Sequence, residues 1–343
     1  MSNFKPEVFQ PALADMLIRP RRSRVSAWMR DMVAETSLSA KDLILPVFIR
    51  EDDSVSEQTS MPGVRRHKVA ELPALAREAA GLGIPALAIF PVLDGAKRTP
   101  NGDYGRTDVL ACEAIRAIKS AGVNIGVITD VAMDRYTSHG QDGLVRDGRI
   151  LNDESVELLA EMALAHAEAG ADIVAPSDMM DGRIEAIRRT LDAAGHEHVG
   201  ILSYSAKYAS ALYGPFRDAV NSSSGLATGP GANGKKTYFL DIRNRAEAVR
   251  EAHLDETEGA DILMVKPGSY FLDVILTLAQ NSKLPVFAYQ VSGEYAMMRA
   301  AEAAGWASYD ALLIESLLGF KRAGAKGIFT YGALDAARLL QGK

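Results

Sequence analysis

Eight short apolar runs, each followed by a stretch of helical periodicity, limit what this 343-residue chain can become. The runs cover residues 43–49, 86–92, 125–132, 172–175, 199–204, 262–265, 286–291 and 328–331. The helical stretches cover residues 73–82, 108–121, 154–169, 181–194, 244–258 and 270–280, a pair near 295–304 and 308–322, and a last one from 334 onward. Gly83, Gly122, Gly170, Gly195 and Gly259 each stand just past a helical stretch, where a left-handed residue ends a helix. Asp108 and Asn152 read as N-caps. Strands alternating with helices force parallel pairing and right-handed crossovers. Eight such units predict an α/β fold closed as a (β/α)8 TIM barrel. An open doubly wound sheet usually carries Gly-x-Gly-x-x-Gly after its first strand, and Arg50-Glu51-Asp52-Asp53 is unlike it.

A barrel of this kind needs only about 250 residues. The surplus falls in an N-terminal arm, residues 1–40, and in long loops, above all residues 208–240. The barrel domain is then 41–343. The arm carries Arg19, Arg21, Arg22, Arg24 and Arg30, yet the whole chain has a net charge of −6, which argues against nucleic acid as a partner. An arm of that length is expected to lie on a neighbouring subunit. The N-terminus lacks the apolar core of a signal peptide, and no run approaches a membrane span, so no membrane partner is expected. The single cysteine, Cys112, excludes a disulfide framework and a multi-cysteine zinc site; it suits a reducing, cytoplasmic setting and reads as core.

In such a barrel the strand C-termini share one face, and the active site lies there. Strand three ends at Asp130 and runs on to Asp134. The fourth ends at Ser177-Asp178, the fifth near Lys207, the sixth at Lys266, the seventh at Tyr289 and Ser292, and the eighth at Tyr331. Two lysines on adjacent strands are the sharpest feature. Mutual repulsion and an apolar wall would each lower a lysine pKa from its reference near 10.4. A neutral amine attacks a ketone to form a Schiff base. The insert adds Arg217, Lys235 and Lys236, a cationic lid suited to an anionic substrate.

Other motifs carry less. Gly229-Pro-Gly-Ala-Asn-Gly-Lys-Lys nearly matches a phosphate loop, but Lys236 stands where the hydroxyl must be and no apolar strand precedes it. Asp130, Asp134 and Asp142, with His139 between them, could bind a hard metal ion or hydrogen-bond a substrate. His196 and His198 precede strand five and so lie at the stability face. The residues leave three readings open: a two-lysine Schiff-base enzyme, a class I aldolase needing one lysine, or a barrel that binds without catalysis.

Taken together, Ser203-Tyr-Ser-Ala-Lys207-Tyr, Tyr213-Gly-Pro-Phe-Arg217-Asp, Met264-Val-Lys266-Pro-Gly, Val291-Ser-Gly-Glu and Asp130-Val-Ala-Met-Asp134-Arg-Tyr-Thr-Ser-His139-Gly-Gln-Asp142-Gly closely resemble the porphobilinogen synthase (5-aminolevulinate dehydratase) family, over nearly the whole chain and in order. The resemblance implies a condensation of two 5-aminolevulinate molecules to porphobilinogen with loss of two waters, in haem and chlorophyll biosynthesis. It implies a first Schiff base at Lys266 and a second at Lys207, with Arg217 and Lys235 holding the second substrate. Ser292 and Tyr331 would bind the first substrate's carboxylate; Asp130 and Ser177 would line the second pocket, and Tyr289, Asp134 and Asp142 are further candidate contacts. It also implies a homo-octamer embraced by its arms, with a hexamer as an alternative. Zinc-dependent members carry three cysteines where this chain has Ala132, Asp134 and Asp142, so zinc is not expected. The pattern is similar to the aspartate-containing branch that responds to magnesium or needs no metal, with Glu251 as the candidate allosteric magnesium ligand. Phe239 stands where the family commonly has Gln.

Overall fold

The computed structural model describes residues 17–220 and 235–342. Most of the Gly229–Lys236 near-motif, the middle of the 208–240 insert and the first sixteen residues of the arm lie outside the described residues.

Eight parallel strands close on themselves: β1 (Leu43–Arg50), β2 (Ala86–Val92), β3 (Gly126–Val131), β4 (Ile173–Pro176), β5 (Gly200–Lys207), β6 (Ile262–Lys266), β7 (Val286–Gln290) and β8 (Gly327–Thr330). Pairing of Leu43 with Ile328 and Ile44 with Phe329 seals the barrel. Each strand is buried along nearly its whole length, which is why the sequence shows continuous apolar runs rather than alternation. Helices α1 (Leu72–Gly81), α2 (Val109–Lys119), α3 (Asn152–Glu168), α4 (Arg183–Ala193), α5 (Ala246–Glu258), α6 (Leu272–Asn281), α7 (Ser292–Ala303), α8 (Tyr309–Arg322) and α9 (Ala333–Leu340) follow or separate the strands. The (β/α)8 barrel expected from the alternation is the fold.

Several local expectations change. Asp108 caps α2, its carboxylate accepting from Ala111 N–H at 3.3 Å. Asn152 does not cap α3: it is the first helical residue, and its amide exchanges hydrogen bonds with the backbone of Asp181 instead. β5 runs three residues beyond the expected 204, so Lys207 lies within the strand. A short strand, Arg66–Lys68, adds to β1, and Leu144–Arg146 pairs with Arg149–Leu151 in a hairpin after β3. All three of these strands are only three residues long, too short to leave a periodic signature.

The chain divides into two compact units, Met1–Ser37 and Leu38–Lys343. In the first, Pro20–Arg24 forms a 3-10 turn and Ala27–Met32 a single helix. Its apolar side chains face water, with Trp28 64% and Met32 67% exposed.

Candidate active site

The register of β5 against β6 decides the site. Leu202 pairs with Ile262 and Ser203 with Leu263, but Ala206 pairs with Val265 and Lys207 with Lys266. One extra residue is therefore taken up on β5, a bulge. Strict alternation would put Lys207 on the same side as Ser203, whose hydroxyl reaches outward to Asp255 and Arg183 on α5 and α4. The bulge reverses that parity. It turns Lys207 into the barrel directly beside Lys266.

Lys266 sits in an aromatic box. Its Nζ lies 4.3 Å from the ring centre of Tyr289, 5.0 Å from those of Tyr204 and Phe216, and 5.6 Å from that of Tyr213. Phe48 and Phe90 pack against Phe216 behind it, with ring centres 5.7 and 5.6 Å away. Burial, and then the positive charge of Lys207, bring the Lys266 pKa down to about 7. Nearby Asp130, Asp134 and Asp142 oppose the shift without cancelling it. After Lys266 the chain must pass Phe320 closely: a Cβ on Gly268 would stand 2.2 Å from that ring, so only glycine fits.

Lys207 is buried and donates to the Ser177 carbonyl at the end of β4. The Phe239 ring centre is 4.2 Å from its Nζ, and Asp142 Oδ1 is 3.8 Å away. Burial lowers its pKa, with Lys235 adding and Asp142 opposing. Lys235 behaves in the opposite sense. It contacts Asp134 Oδ2 at 2.9 Å and Asp142 Oδ2 at 2.6 Å, and although burial opposes them, these carboxylates raise its pKa. The Asp134 carboxyl is correspondingly held well below its ordinary range, against its burial, by Lys235 and Arg135. Burial thus lowers the pKa of Lys207 and Lys266, while Lys235 is kept charged by its two carboxylates.

The other expected residues assemble around them. Asp130 is paired with fully buried Arg135. The Tyr289 and Tyr331 hydroxyls lie 3.2 Å apart. Ser292, the first residue of α7, is buried; its Oγ accepts from Phe216 N–H and donates to the Leu212 carbonyl. Asp130, Asp134, Ser177, Lys207, Arg217, Lys235 and Lys266 line one cavity with Tyr213, Phe216 and Phe239. An outer cavity of about 550 Å3 shares Arg217, Lys235 and Phe239 with it and adds Lys236. Arg217 makes no hydrogen bond or ion pair among the described residues.

Other residues singled out by the sequence lie outside these cavities, His196 and His198 as expected. His139 is turned away from the carboxylates: its Nε2–H donates to the Pro100 carbonyl, while Nδ1 accepts from Gln141 N–H. His196 and His198 stand before β5, at the opposite end of the barrel from the lysines. Glu251 lies on α5, lining a further polar cavity of about 390 Å3 with Asn152, Asp181 and Glu247, which shares Lys236 and Phe239 with the outer cavity. Burial and neighbouring Asp255 push its carboxyl up. Sequence reasoning assigned no task to Arg135, Tyr204, Tyr238 or Glu294. Tyr238 hydrogen-bonds Asp142 at 3.0 Å. Glu294 accepts from Val291 and Ser269 N–H, joining the loop after β6 to the start of α7. Tyr204, Tyr238 and the Glu294–Ser269 contact act across distant segments, which no one-dimensional pattern marks, whereas Arg135 lies only five residues from Asp130.

A closed parallel barrel with two buried lysines of lowered pKa, paired inside its C-terminal mouth, defines a class: a barrel enzyme with an amine-lined site. The chain belongs to the delta-aminolevulinic acid dehydratase family, whose pattern it matches over residues 17–339. It is 51% identical over 333 residues to a protein of Bradyrhizobium diazoefficiens named delta-aminolevulinic acid dehydratase, covering 96% of this chain and 93% of that one. A Chlamydia pneumoniae protein of the same name is 47% identical, covering 94% and 96%. The crystal structure of the Toxoplasma gondii delta-aminolevulinic acid dehydratase (porphobilinogen synthase), in complex with the reaction product porphobilinogen, superimposes with a TM-score of 0.90 at 43% identity, covering 95% of this chain and 92% of that one.

Proposed function

We infer that this chain is a lyase that condenses two molecules of 5-aminolevulinate to porphobilinogen with loss of two waters, the pyrrole-forming step of tetrapyrrole biosynthesis. The observation that carries the reading is the pairing of Lys207 with Lys266 across β5 and β6, in a family of that activity. Neutral Nζ of Lys266 adds to the ketone of one substrate, whose oxygen leaves as water to give the imine. Lys207 does the same with the second substrate. Formation of one C–C and one C–N bond between the substrates then releases both lysines. The Ser177 carbonyl beside Lys207 orients that amine. Tyr289 and Tyr331 hydroxyls, at the end of the aromatic box, offer hydrogen bonds to the first substrate's carboxylate, with Ser292 close in sequence to the same wall. Lys235 is already offset by Asp134 and Asp142, so Arg217 supplies most of the uncompensated positive charge for the second carboxylate. Asp130, held by Arg135, borders the same pocket.

The zinc-free assignment rests on the donor set. Ala132, Asp134 and Asp142 offer no thiolate, and both aspartates are engaged by Lys235, so a catalytic metal does not fit there. A magnesium ion, if one is used, is assigned to Glu251, whose cavity also offers the Asp181 and Glu247 carboxylates and is lined by Lys236 as well. Among the described residues no cluster of three or more His, Cys, Asp or Glu side chains is arranged to hold a metal, so water would complete such a shell. The exposed apolar side chains of the arm support assembly through the arm into an octamer, with a hexamer as the alternative. Among the described residues no helix is long and apolar enough to cross a membrane; the low cysteine content supports a cytoplasmic location.

Borohydride reduction in the presence of 5-aminolevulinate tests the reading. Adducts on Lys266 and Lys207, with porphobilinogen formed in the unreduced reaction, are expected. An active-site preparation that gives neither adduct nor pyrrole would overturn it.

A further inference from the structure

The helix Gly214–Ala219 is only six residues long, yet it bears Phe216 of the Lys266 box and Arg217 of the cavity. A helix that short is unstable alone, and its last carbonyls have no partner within it. Its start is held by Ser292, and by a backbone approach so close that a Cβ on Gly293 would stand 2.5 Å from the Leu212 carbonyl. Its end is held differently. Arg66 Nε donates to the Ala219 carbonyl at 2.7 Å and Arg66 Nη2 to the Asp218 carbonyl at 3.1 Å. Arg98 Nη2 donates to the Val220 carbonyl at 2.5 Å.

Both arginines come from elsewhere in the barrel. Arg66 opens the short strand beside β1, 153 residues from Ala219, and is only 4% exposed. Its Nη1 donates to the Ser56 and Gln58 carbonyls at 2.9 and 2.5 Å, fixing the guanidinium from the other side. Burial lowers the pKa of both side chains, so each is held there at a cost in solvation. Cations at a helix C-terminus also oppose its negative dipole end.

We propose that Arg66 and Arg98 are positioning residues for substrate recognition: by clamping the last carbonyls of the Gly214–Ala219 helix, they fix where Arg217 meets the carboxylate of the second substrate. The inference rests on the activity proposed above. It gives a task to Arg66, which lines neither cavity at the mouth and reaches the substrate only through the helix it holds. A planar fork can span two adjacent carbonyls, whereas an ammonium is a single point.

The test compares wild type with Arg66→Met, Arg66→Lys and Arg98→Gln. It measures kcat and KM for 5-aminolevulinate, and borohydride adducts at Lys266 and Lys207 quantified separately by peptide mass spectrometry. Displacing Arg217 by a fraction of an ångström is expected to raise KM about tenfold in Arg66→Met and to cut the Lys207 adduct in parallel, with the Lys266 adduct kept within twofold. Arg66→Lys should recover only part of the loss. Arg98→Gln, which keeps an N–H donor, should raise KM about threefold with the same split between adducts. If Arg66→Met does not fold, Arg98→Gln decides alone. An unchanged KM in the folded variants, or equal loss of both adducts, overturns the inference. A wild-type protein that yields no porphobilinogen would instead overturn the proposed function.

Discussion

Replacing Lys207 by methionine separates the two causes that make Lys266 a nucleophile. The Lys266 pKa falls from 10.5 to about 7, with burial the larger cause and the Lys207 charge the next. At pH 7 about half of Lys266 is then neutral, against roughly one lysine in three thousand at the reference value, a difference worth about 5 kcal/mol. Lys207 and Lys266 are directly paired on neighbouring strands, and two ammonium groups at a separation of about 7 Å would repel by about 2 kcal/mol at an effective dielectric constant of about 20. Lys207→Met removes that repulsion but leaves the aromatic box intact. The pH midpoint for borohydride trapping of 5-aminolevulinate on Lys266 should therefore sit near 7 in wild type and rise to about 8.5 in the variant, still well below that of an exposed lysine. Condensation should stop in Lys207→Met, so the Lys266 adduct accumulates and the readout is clean. A wild-type midpoint above 9 would refute the account of burial. A midpoint that stays put or falls in the variant would refute the account of repulsion.

The same shift has a stability consequence. A lysine whose folded pKa lies below its unfolded pKa penalises the fold fully below about pH 7 and ceases to do so above 10.5. Lys266→Met should accordingly raise the urea midpoint at pH 6, by up to about 5 kcal/mol in unfolding free energy, with the gain fading toward pH 10. Lys235→Met should act the other way. It strands the Asp134 and Asp142 carboxylates in the interior, costing about 3–5 kcal/mol by urea denaturation at pH 7. Activation by magnesium, if Glu251 is its ligand, should vanish in Glu251→Ala while a zinc chelator leaves wild-type activity intact; an equal magnesium response in both proteins, or activity restored only by zinc, would count against the metal assignment. Deleting residues 1–37 should lower the oligomeric mass in sedimentation without unfolding the Leu38–Lys343 unit; an unchanged mass would remove the arm from the assembly.

Strand–helix alternation is a local property, so the barrel and the face that bears Asp130, Ser177, Lys266 and Tyr331 follow from the one-dimensional pattern. Lys266 in particular is readable, since an apolar run that stops at a lysine before Pro-Gly places that lysine at a strand end. Partners are a different matter. Lys235 meets Asp134 across 101 residues and Arg66 meets Ala219 across 153, and no periodicity encodes such pairs. Asn152 has the composition of a cap but serves Asp181, because a side-chain amide takes whichever backbone groups the fold brings near.

Lys207 shows the division most sharply. The amino-acid order by itself determined that a lysine would stand where the fifth strand ends. Only the packed barrel decided which way it points. The extra β5 residue taken up between Ser203 and Ala206 reverses the in–out parity of the strand, and a side chain that alternation would send toward the helices enters the barrel opposite Lys266. A bulge is a mismatch between two strands, here β5 and β6, and neither strand's sequence contains it alone.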